Sequence, residues 1–341
     1  MKKKLKVGIA GYGVVGKKRR AFIDANLNFV TVAVSDVNFE KDHTASDGVR
    51  CFNSYKKIIK EDLDVLFVCL PNYLAPEATI GGLRNNMHVF CEKPPGRTVA
   101  DIKNVIAEEK KHPNLKLKYG FNHRYHQSVI EAKKIIDSKI YGDVINIRGV
   151  YGKSRMITSL GGWRAKRKYA GGGILLDQGI HMLDMILYFA GDFPEVKSFI
   201  SNRHWGHDVE DNAYAIMKNK AGRVAMLHST ATQWQHKFRL EIALQEALVE
   251  LTGILSGSKS YGEERLMVMR RKDDSMVGSL EGKTVSYLED NSWKSEVDEF
   301  ADIIVKNKKV VNGNSADALR AMEMVYRIYR ADSNWKKTFN V

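Results

Sequence analysis

The chain reads as a two-domain α/β protein: a doubly wound parallel sheet in the first third, then a second α/β domain on an open, mostly antiparallel sheet. Three observations predict this. A short apolar strand runs directly into Gly11-Tyr12-Gly13-Val14-Val15-Gly16 and then into a helix. Strand-like and helix-like stretches alternate from there to about residue 120 with no break in composition, the pattern of repeated βαβ units. Beyond residue 121 the strands cluster with few helices between them, which reads as antiparallel pairing. The expected domains are 1–120 and 121–341.

In chain order, Leu5–Ala10 is a short buried strand and the helix after the glycines runs to about Asp24. Between strand and helix, glycines permit a tight turn and let a pyrophosphate approach a helix N-terminus. The next strand, Phe29 to Ser35, ends at Asp36, 20 residues after Gly16. A carboxylate there accepts hydrogen bonds from a ribose diol and repels a 2′-phosphate, so Asp36 points to NAD over NADP; a turn-forming aspartate is the alternative. Lys17-Lys18-Arg19-Arg20 reads as a solvated helix face, or as basic groups that tolerate the extra phosphate of NADP. The apolar run Asp64–Leu70 is a strand buried on both faces, closed by Pro71-Asn72 at the edge where α/β sheets bind ligands. A helix over 76–84, a strand from Met87 to Cys91, a helix over 98–111 and a strand at 115–120 complete the alternation. Lys93, in Glu92-Lys93-Pro94 at a strand carboxyl end, is expected to project its ammonium toward the cofactor crevice, with Pro94-Pro95 stiffening the exit.

In the second domain the pattern predicts a helix at 126–138 and a strand from Asp143 to Tyr151. Further strands fall near 196–202, 212–218, 222–232, 237–244 and 247–253, and helices near 292–307 and 315–331. At its centre lies Gly171-Gly172-Gly173-Ile174-Leu175-Leu176-Asp177-Gln178-Gly179-Ile180-His181-Met182-Leu183-Asp184. Three glycines are expected to leave backbone N–H groups open to a close-lying ligand. A helix is predicted from Ile174 to Ala190, stopped at Gly191 with Pro194 beyond. On it Asp177, His181 and Asp184 share one face. An acid and an imidazole on an otherwise apolar helix suit proton transfer, though such a pair also serves as a simple hydrogen-bonded couple. No third ligand stands at a familiar spacing, so no metal is expected.

With 341 residues, 44% apolar and 28% charged, the chain has an ordinary soluble composition and length for two domains. Cys51, Cys69 and Cys91 form no C-x-x-C pair, which fits a reduced, cytoplasmic setting. Lys2, Lys3, Lys4 and Lys6 mimic a signal peptide's charged start, but Gly8, Gly11 and Gly13 interrupt any apolar region, and no 18-residue apolar run exists to span a membrane. Net charge is +14, yet no helix-turn-helix, zinc finger, RNP or basic-aromatic platform supports nucleic-acid binding. From Arg148 to Lys168 there are seven Lys or Arg residues and no acid. Lys166, Arg167 and Lys168, with Lys153 and Arg155, suggest an anionic substrate, one carrying a phosphate, a carboxylate or a nucleotide; a solvated basic loop is the alternative.

Taken together, Gly11-x-Gly13-x-x-Gly16, Pro71-Asn72, Glu92-Lys93-Pro94, Asn122-x-Arg124, Trp163-Arg164 and the Gly171–Asp184 motif make the chain resemble the Gfo/Idh/MocA family (glucose–fructose oxidoreductase, inositol dehydrogenase, rhizopine catabolism) over nearly its whole length. The resemblance implies a Rossmann domain followed by an α/β domain whose open sheet supplies the substrate site and an oligomer face, as a homodimer or homotetramer, with helix 315–331 packing back on the first domain. It implies Lys93, Asp177 and His181 around the reacting carbon. Cofactor contacts would come from Gly11, Gly13, Val14, Val15 and Gly16, from Asp36, from Leu70, Pro71 and Asn72, and from Glu92, Lys93 and Arg124. Substrate contacts would come from Lys93, Arg124, Lys153, Trp163, Arg164, Asp177, His181 and His236. Arg124 also reads as an ion-pair residue and Trp163 as packing in the pocket loop; Gln233, Trp234 and His236, on or after a strand, read either as reaching substrate or as interface packing. Ala75 departs from the family, many members of which carry histidine there. The implied activity is hydride transfer between NAD (NADP as the alternative) and a hydroxyl or keto carbon of a sugar or cyclitol. Hydrolysis through transient oxidation and a non-catalytic sugar sensor are the rivals.

Overall fold

The computed structural model describes residues 3–155, 162–256, 260–271 and 280–340. Lys2 and residues 156–161 of the basic stretch lie outside these. The chain divides into two units: Met1–Asn122 with Tyr169–Gly171 and Trp293–Leu319, and His123–Lys168 with Gly172–Ser292 and Arg320–Val341.

The first unit follows the βαβ pattern. Its elements are β1 (Leu5–Ala10), α1 (Val14–Ala25), β2 (Phe29–Ser35), β3 (His43–Thr44), β4 (Arg50–Phe52), α2 (Tyr55–Ile58), β5 (Val65–Val68), α3 (Ala75–Arg84), β6 (His88–Glu92), α4 (Val99–Glu109) and β7 (Leu117–Gly120). The strand order is β3-β4-β2-β1-β5-β6-β7, parallel except where β3 meets β4. The order reverses beside β1, so the glycine turn leaves the sheet at its switch point, where such sheets bind ligands. All four residues of β5 are buried, as a strand covered on both faces requires. Phe67 stacks on Phe90 with ring centroids 4.9 Å apart. Phe300 meets both edge-on, at 6.0 and 5.6 Å, and Val297 and Ala301 join the same core. Local pattern could not show this, because these three residues arrive about 200 positions later in the chain. β3, β4 and α2 are only two to four residues long, too short to carry a periodic signal.

The second unit begins within a 3-10 turn at Asn122–Tyr125 and continues with α5 (Gln127–Ser138) and β8 (Val144–Gly152). A 3-10 turn at Trp163–Ala165 and the short α6 (Arg167–Ala170) lead to the triple glycine. The continuous helix expected from Ile174 to Ala190 is two elements: a π turn at Leu175–Gly179, then α7 (Ile180–Ala190). Gly179 accounts for the change. A Cβ there would stand 2.6 Å from Ser229 Oγ, and that hydroxyl donates to the Ile174 carbonyl at 3.2 Å. The backbone is thus pressed against a strand and one of its carbonyls is claimed from outside the helix ladder.

The strands β9 (Glu195–Ser201), β10 (Asn212–Lys218), β11 (Val224–Thr230), β12 (Lys237–Leu244), β13 (Ala247–Thr252), β14 (Glu264–Arg271) and β15 (Leu280–Tyr287) complete a sheet ordered β15-β14-β13-β12-β8-β11-β10-β9. Only β8 and β11 pair in parallel. The sequence assigned no strand to β14 or β15. α7 covers one face, its Met182 filling the space a Cβ on Gly149 would need. On three strands side chains alternate, leaving Phe199, Tyr214, Ile216 and Met226 exposed. The chain ends in α8 (Ser292–Val305), α9 (Ser315–Ala331) and α10 (Ser333–Phe339); α9 is shared between the units, through Leu319 with the first and from Arg320 with the second. Among the described residues no helix is long and apolar enough to cross a membrane.

Candidate active site

In the first unit the glycine turn divides into two structural positions and one open one. Gly11 has φ +94°, and a Cβ on it would stand 2.4 Å from the Cys69 carbonyl oxygen; one on Gly16 would stand 2.0 Å from the Gly11 carbonyl. A Cβ on Gly13 would meet nothing within 4 Å. No side chain caps α1 and no acid sits in its first turn, so the N–H groups of Val14, Val15 and Gly16 face an uncrowded, electropositive helix end. Asp36, after β2, accepts hydrogen bonds on Oδ1 from the Asn38 backbone and side-chain amides at 2.9 and 2.7 Å. Its Oδ2 has no hydrogen-bond partner among the described residues. A pyrophosphate and a ribose diol fit this cradle.

The basic run in α1 is not a uniform solvated face. Arg19 is fully buried, its Nε 2.6 Å from Glu92 Oε1 and its Nη2 2.6 Å from Glu296 Oε2, with Phe90 and Trp293 against its guanidinium. Burial pushes Glu296 up to about 7, with Arg19 pulling the other way. Arg20 is held by Tyr12, Asp24 and Asp47, and Lys17 remains exposed. Glu92, to which the resemblance gave a cofactor contact, therefore turns a carboxylate oxygen inward. Lys93 follows it at the end of β6, half-buried, before a cis peptide to Pro94. Leu70 and Pro71 are half-buried at the end of β5, while Asn72 is buried and its amide donates to the Ala170 carbonyl at 2.7 Å. Ala75 starts α3, buried.

The second unit corrects the reading of the triple glycine. The Gly173 N–H and the two that follow it are taken by the protein itself: Glu210, fully buried, accepts from Gly173 N at 2.7 Å and Leu175 N at 3.0 Å, and its own carbonyl accepts from Ile174 N at 3.0 Å. Tyr329 donates to the same carboxylate at 2.7 Å, and burial raises the Glu210 pKa. The glycines are needed for packing. A Cβ on Gly172 would stand 2.1 Å from the Tyr329 hydroxyl, and one on Gly173 2.0 Å from the Glu210 carbonyl. In the first unit, Gly171 at φ +84° lies against the Arg97 backbone in the same way.

This clamp sets the register of the helix that follows. Asp177 lies in the π turn, partly exposed, accepting from Gln178 Nε2 at 3.1 Å with Arg164 Nε 3.9 Å away. His181 is buried and stacks face to face on His123, centroids 3.8 Å apart and 16° between planes. His123 Nε2 is 3.2 Å from the Tyr151 hydroxyl, and Tyr151 stacks on Tyr261 at 5.4 Å. Burial raises the pKa of both tyrosines, and the Asp177 carboxylate adds to the effect. His236 meets Tyr261 edge-on at 4.8 Å; burial lowers its pKa and the nearby Lys153 lowers it further. Asp184 does not join Asp177 and His181: it takes Arg124 Nε and Nη2 at 2.8 and 2.7 Å in a buried bidentate pair. Of the two readings of Arg124, the geometry is that of the ion pair, with Tyr188 covering the guanidinium at 4.5 Å.

The structure thus gathers Asp177, His181, Lys153, Arg164 and His236 around residues the sequence reading passed over: His123, Tyr151 and Tyr261. His123 sat inside Asn122-x-Arg124 and Tyr151 at a strand end, but only tertiary packing joins them; no local signal marked Tyr261. Trp163 packs beneath Arg164, at 4.3 Å. Arg167 lies over Phe339, Trp335 and Tyr329 and Arg148 pairs with Glu241; the other described cations of the basic stretch are Lys153, Arg155, Arg164, Lys166 and Lys168.

Residues 5–121 match the model of an oxidoreductase family with an NAD-binding Rossmann fold, and residues 129–250 that of the GFO/IDH/MocA C-terminal domain. Levoglucosan dehydrogenase of Pseudarthrobacter phenanthrenivorans is 29% identical over 214 residues, 58% of this chain and 54% of that one. Inositol 2-dehydrogenase of Salmonella typhimurium is 30% identical over 151 residues, 42% of this chain and 45% of that one. The chain is thus matched to about half the length of these curated relatives. A solved levoglucosan dehydrogenase, in complex with NADH and levoglucosan, has the same fold, with a TM-score of 0.83 at 22% identity over 98% of both chains. This chain belongs to the Gfo/Idh/MocA oxidoreductase family, and residues 5–121 form its NAD-binding Rossmann domain.

Proposed function

We propose that the chain is an NAD(P)-dependent dehydrogenase or ketoreductase acting at a hydroxyl-bearing or keto carbon of a sugar or cyclitol derivative. The observation that carries the proposal is the buried His181 ring, stacked on His123 beside Asp177, in a family of oxidoreductases. The nicotinamide supplies the redox chemistry when bound, as donor or acceptor of hydride at C4. His181, an imidazole whose ordinary pKa is about 6.5, takes the proton from the substrate hydroxyl during oxidation and returns it during reduction. Lys93 steadies negative charge building on that oxygen. Asp177 accepts a hydrogen bond from a neighbouring hydroxyl and orients the ring. His123 keeps His181 in one plane. Gly11, Gly13, Val14, Val15 and Gly16 would hold the pyrophosphate and Asp36 the adenosine ribose, favouring NAD; Leu70, Pro71 and Asn72 would line the nicotinamide end.

The decisive measurement is absorbance of reduced nicotinamide on mixing the protein with NAD or NADP and a panel of neutral, acidic and phosphorylated sugars. Net accumulation is expected, with turnover lowered roughly 10²-fold or more in His181→Asn. An unchanged turnover number would remove His181 from this role. Lys153 and Arg164, near His236 and Asp177, support an anionic substrate. Turnover of a neutral sugar at least as efficient as that of its phosphate or uronate, at low salt, would count against that.

The exposed row of Phe199, Tyr214, Ile216 and Met226 supports a homodimer or homotetramer formed through the second sheet. Sedimentation as a monomer at micromolar concentration would remove that reading. The free thiols Cys51, Cys69 and Cys91 accord with a reduced, cytoplasmic setting.

A further inference from the structure

Trp234 has no part in the proposed chemistry, and its setting is unusual. It lies in the turn between β11 and β12 with φ +58°, a left-handed conformation that bulky residues avoid. Its side chain is 69% exposed, although indoles are mostly covered in folded proteins. The ring nevertheless has an aromatic neighbour. His204 meets it edge-on, at 5.2 Å and 84°, and Trp205 meets His204 in the same way, at 5.0 Å and 89°. The β9–β10 loop carrying these two residues is pinned in turn. Asp211 Oδ2 accepts from His204 N at 2.8 Å and Trp205 N at 3.2 Å, and Trp205 Nε1 donates to the Ala231 carbonyl at 3.0 Å. Trp205 packs on Ile174, Val209 and Ala231, and Ile174 is the residue from which the π turn bearing Asp177 begins.

The same loop borders the cluster around His181. Gln233 N donates to the Lys153 carbonyl at 3.1 Å, and the Gln233 side chain lies where a Cβ on Gly152 would go. Two residues after Trp234, His236 meets Tyr261; Tyr261 meets Tyr151, and Tyr151 meets His181 at 6.5 Å. Three ring-to-ring steps therefore separate His181 from the loop that carries the exposed indole.

We propose that Trp234, braced by His204, is a stacking platform for a second, non-reacting sugar ring, so that the preferred substrates are glycosides of two or more rings. A flat indole with few rotatable bonds offers a large apolar surface at little entropic cost, suited to the C–H face of a pyranose. Gln233, Lys153 and His236 beside it present polar groups that can hydrogen-bond the hydroxyls at that ring's rim. Trp234 makes its ring contact with His204 and not with His236, Tyr261, Tyr151 or His181, so in this proposal the ring that presents its hydroxyl to His181 and the ring lying on Trp234 are different rings. This inference rests on the sugar-dehydrogenase reading.

The test compares a monosaccharide with the matching disaccharide, using the full chain with NAD, in the parent, Trp234→Ala and Trp234→Phe. Trp234→Ala is expected to raise KM for the disaccharide about tenfold or more, with kcat and the monosaccharide KM changed less than twofold, and Trp234→Phe to restore most of the loss. Tryptophan fluorescence provides a readout independent of turnover: the disaccharide should change it in the parent and not in Trp234→Phe. Equal kinetic effects on both sugars, or none on either, would overturn the platform. So would a Trp234→Ala variant that loses self-association instead of disaccharide affinity, since the indole would then serve an interface between copies. If the parent oxidises no sugar while the Trp234-dependent fluorescence change persists, the platform stands and the dehydrogenase reading fails.

Discussion

The turn Gly11-Tyr12-Gly13 of the first unit and the pair Gly172-Gly173 of the second are both glycine-rich entries to a helix that carries candidate site residues. In the first, one glycine is left with open space where its side chain would be, and the helix end behind it is uncapped. In the second, Tyr329 and Glu210 occupy both vacated positions, and the Glu210 carboxylate takes the N–H groups that a ligand would otherwise meet. A missing side chain can admit a ligand or admit the protein itself. Which of these occurs depends on what the rest of the fold places opposite. The first turn is therefore the one proposed as a binding surface, and the second is a clamp at the entry to the segment that carries Asp177 and His181.

The sharpest way to break this contrast is to add one methyl group to each turn. Gly173→Ala drives a Cβ onto the Glu210 backbone, and we expect a loss of about 3 kcal/mol in urea unfolding. Gly13→Ala should change stability by no more than about 0.5 kcal/mol while weakening NAD binding about tenfold in a fluorescence titration. Equal stabilities for the two variants would dissolve the distinction; unchanged NAD affinity in Gly13→Ala would move the pyrophosphate elsewhere.

A smaller effect tests whether the clamp acts through ring placement. His123→Ala removes the surface on which His181 lies, and kcat should fall about 30-fold with little change in KM. His123→Phe keeps a flat ring and should recover much of that loss. Identical kcat values for the two variants would show that stacking is not what His123 contributes. The smallest effect belongs to the open turn's neighbour. Asp36→Ser removes the carboxylate that repels a 2′-phosphate, and the NADP to NAD ratio of kcat/KM should rise about tenfold. A ratio that stays put would mean another group sets the preference.

Reading residues in order determined a good deal. The alternation of apolar strands and amphipathic helices through residue 120, the glycine turn at the end of β1, Asp36 at the end of β2 and the antiparallel character of the second sheet all follow from local pattern, because backbone period and turn chemistry act over a few residues. What lay beyond reach was set by contacts between residues far apart in the chain. Arg19 sits in a run of four cations that looked solvated, yet Glu92 and Glu296, the latter 277 positions away, bury it. Arg124 and Asp184 find each other across 60 residues, and that pairing removed Asp184 from the face expected to hold Asp177 and His181. The π turn exists because Ser229 presses on Gly179. His181 has its ring neighbours only because β8 and the 3-10 turn at Asn122–Tyr125 converge on α7. Sequence periodicity states which face of an element is apolar; it does not state which polar group arrives opposite a given donor or charge, and burial makes that arrival decisive.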